Sequence, residues 1–315
     1  MKLSTIWKCI TPPHLTSATV AVAALVTSLQ TSGAQAQGPT WQEWSKSNCD
    51  EVVELRAHAR DGKSPFGIPA NQELQERLYF DSNWPEPVQV AGIYPLVDNR
   101  KVLADFTFHA TEVAPRHGLR RLYDWFPGDS SISTPVPPVA YILPKGPRTL
   151  VLELHYYNLS GPAQVDQSGV ALCLVRGAHL RSSPAGVASF DVPNLRIPRN
   201  TTQHVATRTC TVASDQPVLL QFAAPGLHRL GRGFRLTIER ADGSRPLTLE
   251  GDYSFGDRRT YRLYPDPVVY RGDRITTTCT YDNPLSVDVA GGWRSGEEVC
   301  RMTVLYYPDN DFICE

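Results

Sequence analysis

The sequence predicts an all-β fold built as two domains, and three observations carry that expectation. The chain holds 26 prolines and 22 glycines in 315 residues, which interrupt any helical period. Val, Ile, Thr, Tyr and Phe gather in short runs of strand length bounded by turn residues. Those runs form two sets on either side of a polar stretch at residues 176–184, and a chain of this length ordinarily divides once.

Residues 1–36 read as an export signal: Lys2 and Lys8 give a basic start, residues 17–29 are small and apolar, and Ala34-Gln35-Ala36 is a small-x-small cleavage site. The apolar stretch is shorter than the ~20 residues a membrane span needs, so a secreted protein, extracellular or periplasmic, is expected, with no membrane span. The first domain, residues 37–178, opens on a polar lead carrying Trp41 and Trp44. Strands are then expected at 49–58, 76–80, 88–94, 102–111, 141–143, 150–157 and 170–175. Turn text such as Asp81-Ser-Asn-Trp-Pro85 and Phe126-Pro-Gly-Asp129 separates them. The second domain, residues 179–315, offers strands at 187–190, 204–212, 218–223, 234–240, 261–263, 275–281 and 300–307. Many short strands broken by turns indicate sandwiches or barrels.

Composition excludes some functions. Thirty-one Lys and Arg face 32 Asp and Glu, a formal charge of −1, so no positive field exists to attract nucleic acid. Of seven cysteines Cys9 leaves with the signal, and the even remainder in an oxidising compartment suggests disulfides whose connectivity the spacing leaves open. No Gly-x-Ser-x-Gly, His-Glu-x-x-His, Walker loop or Cys-x-x-Cys occurs, and nothing nominates a nucleophile.

The most specific text lies in the last third: Gly272-Asp273-Arg-Ile-Thr-Thr-Thr-Cys279-Thr-Tyr281-Asp282-Asn283, Gly291-Gly292-Trp293, Gly296-Glu297-Glu298-Val299-Cys300 and Leu305-Tyr306-Tyr307-Pro308. Upstream stand Pro225-Gly226-Leu227-His228-Arg229-Leu230-Gly231-Arg232, Leu150-Val-Leu-Glu-Leu-His155-Tyr-Tyr-Asn158, Asp166-Gln-Ser-Gly169 and Trp125-Phe-Pro-Gly128. This ordered set resembles the copper type II, ascorbate-dependent monooxygenases, the family of peptidylglycine α-hydroxylating monooxygenase and dopamine β-monooxygenase. The resemblance implies two jelly-roll-like β-sandwiches facing an interdomain cleft. It also implies the disulfides Cys49–Cys173, Cys210–Cys314 and Cys279–Cys300.

It implies two copper centres as well, and here this sequence departs. The family's paired histidines fall at Ala104 and Asp105, and the third first-domain ligand is kept as His155. In the second domain the His-x-His pair falls at Gly226 and His228, and the methionine falls at Val299. Each centre keeps one imidazole, so no copper is expected to be held tightly. Asp105 and His109 share a strand face, as do Glu153 and His155, which makes an improvised His/carboxylate site the route to an active enzyme.

Plainer readings apply elsewhere. His155 and His228 read as packed or cleft-lining side chains, and His58, His109, His117, His179 and His204 as surface or strand histidines without chelating spacing. Glu297 and Glu298 point to opposite sides and read as loop residues. Arg229, Arg232, Arg235, Arg240, Arg258, Arg259 and Arg262 read as solvated strand faces, with an anion site as the sharper alternative. The expectation is a secreted pseudoenzyme that binds a small molecule, peptide or protein in the cleft. The alternatives are a copper-dependent monooxygenase using O2 and an ascorbate-type reductant at a rebuilt site, or a metal-free chemistry.

Overall fold

The computed structural model describes residues 40–111, 118–127, 134–310 and 312–315. The expected export signal, residues 1–36 with Cys9, and His117, Gly128 and Asp129 lie outside them.

The described residues are strands with one α-helix, Trp41–Asn48, and one 3-10 turn, Gly177–His179. Strands before residue 185 form two main sheets. One has five strands in the order Glu51–Arg56, Gly169–Val175, Val88–Leu96, Val139–Leu143 and Ser183–Pro184. The other has four: Gln72–Trp84, Gly146–Asn158, Leu103–Thr111 and Leu119–Trp125. Strands after residue 185 repeat the plan. Gly186–Asp191, Arg301–Tyr307 and Val218–Gly226 continue into Tyr261–Arg262, while Thr201–Thr211, Arg274–Asn283, Gly231–Glu239 and Leu247–Asp252 make the second sheet. Among the strands of the described residues pairing is antiparallel except between Ser183–Pro184 and Val139–Leu143, and an isolated parallel bridge joins Gly291 to Glu298.

Alternation explains why these sequences make sheets. Arg274–Asn283 buries every second residue, with Ile275, Thr277, Cys279 and Tyr281 inward, as a strand with one wet face must. Gly169–Val175 is buried at every position because both its faces are covered. Val170, Leu172 and Leu174 enter the first core, and Ala171, Cys173 and Val175 meet Trp41 of the helix on the other side. Each half has its own core, centred on Phe106, Phe108, Leu152 and Leu154 in the first and on Leu220, Leu236, Tyr281 and Val304 in the second. Leu305 crosses into the first core.

Three expectations need correction. Asp81–Trp84, expected as turn text, continues the strand Gln72–Trp84 and pairs with residues 146–149. The polar lead is helical: Thr40 and Glu43 form a reciprocal capping box, and Trp41 and Trp44 stack on one side of the helix, Trp41 against Tyr94. Leu119–Trp125 is a strand although its Leu-Arg-Arg-Leu-Tyr-Asp-Trp text lacks strict alternation; pairing with Leu103–Thr111, through an irregularity at Phe108/His109, fixes it. Disulfides join Cys49 to Cys173, Cys210 to Cys314 and Cys279 to Cys300, the pairs that the resemblance implies. Among the described residues no helix is long and apolar enough to cross a membrane.

Candidate functional site

The strand Gly146–Asn158 runs between Gln72–Trp84 and Leu103–Thr111 and turns Leu152 and Leu154 into the first core. Period two then puts Glu153 and His155 on the opposite face. Register sets Asp105 directly across from His155, beside a bulge at Ala104. The imidazole is held at both nitrogens: Nδ1 lies 3.1 Å from Asp105 Oδ2 and Nε2 lies 2.8 Å from Glu73 Oε1. Glu73 also accepts from the backbone N–H of Ser295 at 3.0 Å and its hydroxyl at 2.7 Å, so this cluster ties the two halves together.

Burial opposes the charged form of His155, but hydrogen bonds and charge from Asp105 and then Glu73 outweigh it and hold the ring's pKa above the ordinary value. A raised folded pKa stabilises the protein fully below the unfolded value of about 6.5 and loses that contribution as pH rises through the folded value. His155→Gln is therefore expected to cost about 1–3 kcal/mol at about pH 6 and clearly less at about pH 9. Chemical denaturation at the two pH values checks this; an equal loss at both contradicts it.

The second half presents a different environment. A cavity of about 340 Å³ opens between the halves, walled by Leu122 and Phe126 on one side and by Phe222, Trp293 and Val299 on the other. Gly226 and His228 lie on its edge. Glu298, buried, accepts from the backbone N–H of His228 at 2.9 Å and of Leu230 at 2.7 Å, which fixes the turn carrying the histidine. Burial raises the Glu298 carboxyl above its usual range, and the backbone donors work against that. His228 Nδ1 donates to the Glu297 carbonyl at 2.7 Å, leaving Nε2 with the ring's lone pair. Burial lowers the His228 pKa despite that bond, so the ring is neutral near pH 7.

The improvised ligands meet in pairs. Asp105 engages His155, whereas His109 lies 3.6 Å from Glu153, which is itself bonded to Arg77 at 3.0 Å. His109 is buried with neither ring nitrogen hydrogen-bonded. Asp105 and Glu73 stand at opposite edges of the His155 ring, so the three cannot share one ion as placed. Among the described residues no three His, Cys, Asp or Glu are grouped to hold a metal. Ala104, Gly226 and Val299 supply no donor side chain, and the residues present do not fit copper centres of three protein ligands each.

Arg258 overturns its solvated reading. It is buried, with its guanidinium 3.7 Å from the centre of the Phe126 ring and 4.5 Å from that of Phe255. The other arginines of that group are exposed or half-buried. Spacing offered no sign of the difference, because only Phe126, distant in sequence, completes the stack. Glu73 was likewise not anticipated, since its partners His155 and Ser295 come from different halves.

Comparison with known proteins bears on the lineage. The profile of the copper type II ascorbate-dependent monooxygenase C-terminal domain matches residues 184–314. The chain is similar to dopamine beta-hydroxylase of Canis lupus familiaris, 30% identical over 173 residues covering 51% of this chain and 27% of that protein. It is similar to MOXD1 homolog 1 of Drosophila melanogaster, 25% identical over 170 residues covering 50% of this chain and 24% of that one. The chain thus spans about a quarter of the length of these relatives. Among solved structures, a tandem CBM22 domain from Paenibacillus barcinonensis Xyn10C aligns over 83% of this chain and 92% of that one at 11% identity, but its TM-score of 0.23 carries no argument. The profile, seated on the half that holds Gly226, His228 and Val299, and both relatives support the copper type II ascorbate-dependent monooxygenase family for this chain.

Proposed function

We propose that this chain is an exported, non-catalytic member of the family that binds a ligand in the cavity between domains at residues 37–178 and 179–315. The observation that carries the reading is the cavity itself. Two of the three positions where the resemblance places copper donors are Gly226 and Val299, and the remaining His228 lies against an apolar wall. One neutral imidazole is a monodentate ligand with little advantage over water. On the first-half side, metal would have to displace two carboxylates from His155. Three disulfides, which persist in oxidising compartments, support export.

The test is oxygen consumption by copper-loaded protein with ascorbate, measured against free copper at the same concentration. No uptake beyond the free-ion background is expected. Protein-dependent uptake abolished by His155→Ala or His228→Ala would establish an active monooxygenase instead.

A further inference from the structure

The cavity holds a cation that no carboxylate contacts: the charges of Asp105, Asp124 and Glu298 act on Arg258 only at a distance. Arg258 is 8% exposed, lines the cavity, and has no hydrogen-bond acceptor or ion-pair partner among the described residues. The neighbouring cations are spoken for: Arg301 is bidentate to Asp191, and Arg259 pairs with Asp257. Asp124, also on the cavity wall, directs Oδ2 to Arg121 at 3.2 Å and leaves Oδ1 buried without a partner. Stacking on Phe126 and Phe255 offsets part of the desolvation of a guanidinium. It satisfies none of its N–H donors.

We infer that Arg258 anchors the carboxylate of a small, largely apolar organic acid bound in this cavity, an inference that rests on the ligand-binding reading above. A guanidinium fork matches a planar carboxylate bidentately, and a pair formed away from water is worth far more than one at the surface. The walls that surround it, Leu122, Phe222, Trp293 and Val299, suit an apolar or aromatic body, and about 340 Å³ is the size of a small-molecule site. A monoanion fits where a dianion does not. No second free cation is available among the described lining residues, and Asp124 Oδ1 opposes further negative charge while accepting from a hydroxyl or amino group of the ligand.

The experiment uses the full chain freed of metal with a chelator, titrated with 3-phenylpropionate, its primary amide, 2-phenylethylamine and inorganic phosphate. Binding is read by calorimetry and by tryptophan fluorescence, since Trp293 borders the cavity. The carboxylate should bind saturably and at least about tenfold more tightly than the amide, with the amine and phosphate weaker still. Arg258→Met should abolish that preference with little change in Tm, because the substitution breaks no hydrogen bond or ion pair and relieves the desolvation of the guanidinium. Arg258→Lys should keep part of the preference. Equal affinity for acid and amide, a preference that survives Arg258→Met, tighter binding of phosphate than of the acid, or no saturable carboxylate binding up to about 10 mM would each overturn the assignment. So would a large drop in Tm for Arg258→Met, which would reveal a structural partner. Because the titration is run without metal, a failure here is distinct from the copper-dependent oxygen uptake that would defeat the non-catalytic reading.

Discussion

Asp166→Ala is expected to lower the unfolding free energy by about 3–5 kcal/mol, read from urea denaturation. The carboxylate is fully buried and accepts four hydrogen bonds. Oδ1 takes the backbone N–H of Asn99 at 3.0 Å and the hydroxyl of Ser168 at 2.6 Å; Oδ2 takes the Tyr156 hydroxyl at 2.8 Å and the Ser168 N–H at 3.0 Å. Burial, reinforced by the Asp166 charge, pushes the Tyr156 phenol far above its usual range, so it stays a donor at every ordinary pH. Alanine would strand four donors, three of them in fully buried bonds, and one unsatisfied buried donor alone costs about 1–3 kcal/mol. Gly169, directly after Ser168, is a position where a Cβ would fall 1.9 Å from the Leu55 carbonyl oxygen, so the turn has little freedom to relax. A loss below about 1 kcal/mol would contradict this account.

The second large effect concerns the staple between the helix end and the strand Gly169–Val175. Removing the Cys49–Cys173 bridge by Cys49→Ser with Cys173→Ser should cost about 5 kcal/mol in the chain-entropy description, because it closes a loop of sequence separation 124. The Cys279–Cys300 bridge, with separation 21, should contribute about 3 kcal/mol. Cys173 is also buried beside Trp41, so the double variant loses packing as well as connectivity. Denaturation of the two double-serine variants under one set of conditions checks the order. The Cys49–Cys173 variant should be the weaker, and the reverse order would mean that local packing, not loop closure, governs these bridges.

The strands were legible because burial on one face leaves a period of two in the text, as in Arg274–Asn283, and because continuous apolar runs such as Gly169–Val175 mark a strand covered on both sides. Short strands fixed mainly by their partners were not legible. Arg196–Ile197 and Val289–Ala290 pair over two residues each, too few to show a period. The helix Trp41–Asn48 did carry a signal, Thr40 followed three residues later by Glu43, that proline and glycine counts obscured. At the site, the positions of His155, His228, Gly226 and Val299 followed from the resemblance. Their surroundings did not, because Glu73, Ser295 and Phe126 reach those positions from distant parts of the chain. A polar residue's partner is a property of the fold, and no local spacing encodes it.

The central claim is that this cavity lacks the donors to hold copper. Metal analysis after equilibrium dialysis against Cu(II) and removal of loosely held ion tests it most directly, with Gly226→His combined with Val299→Met as the positive control. A Cβ at residue 226 would meet only the Arg301 side chain, at 3.6 Å, so the backbone leaves room for that change. The account predicts well under one copper per unaltered chain and a gain of about one in the double variant. One or more tightly held coppers in the unaltered chain, lost on His155→Ala or His228→Ala, would contradict it.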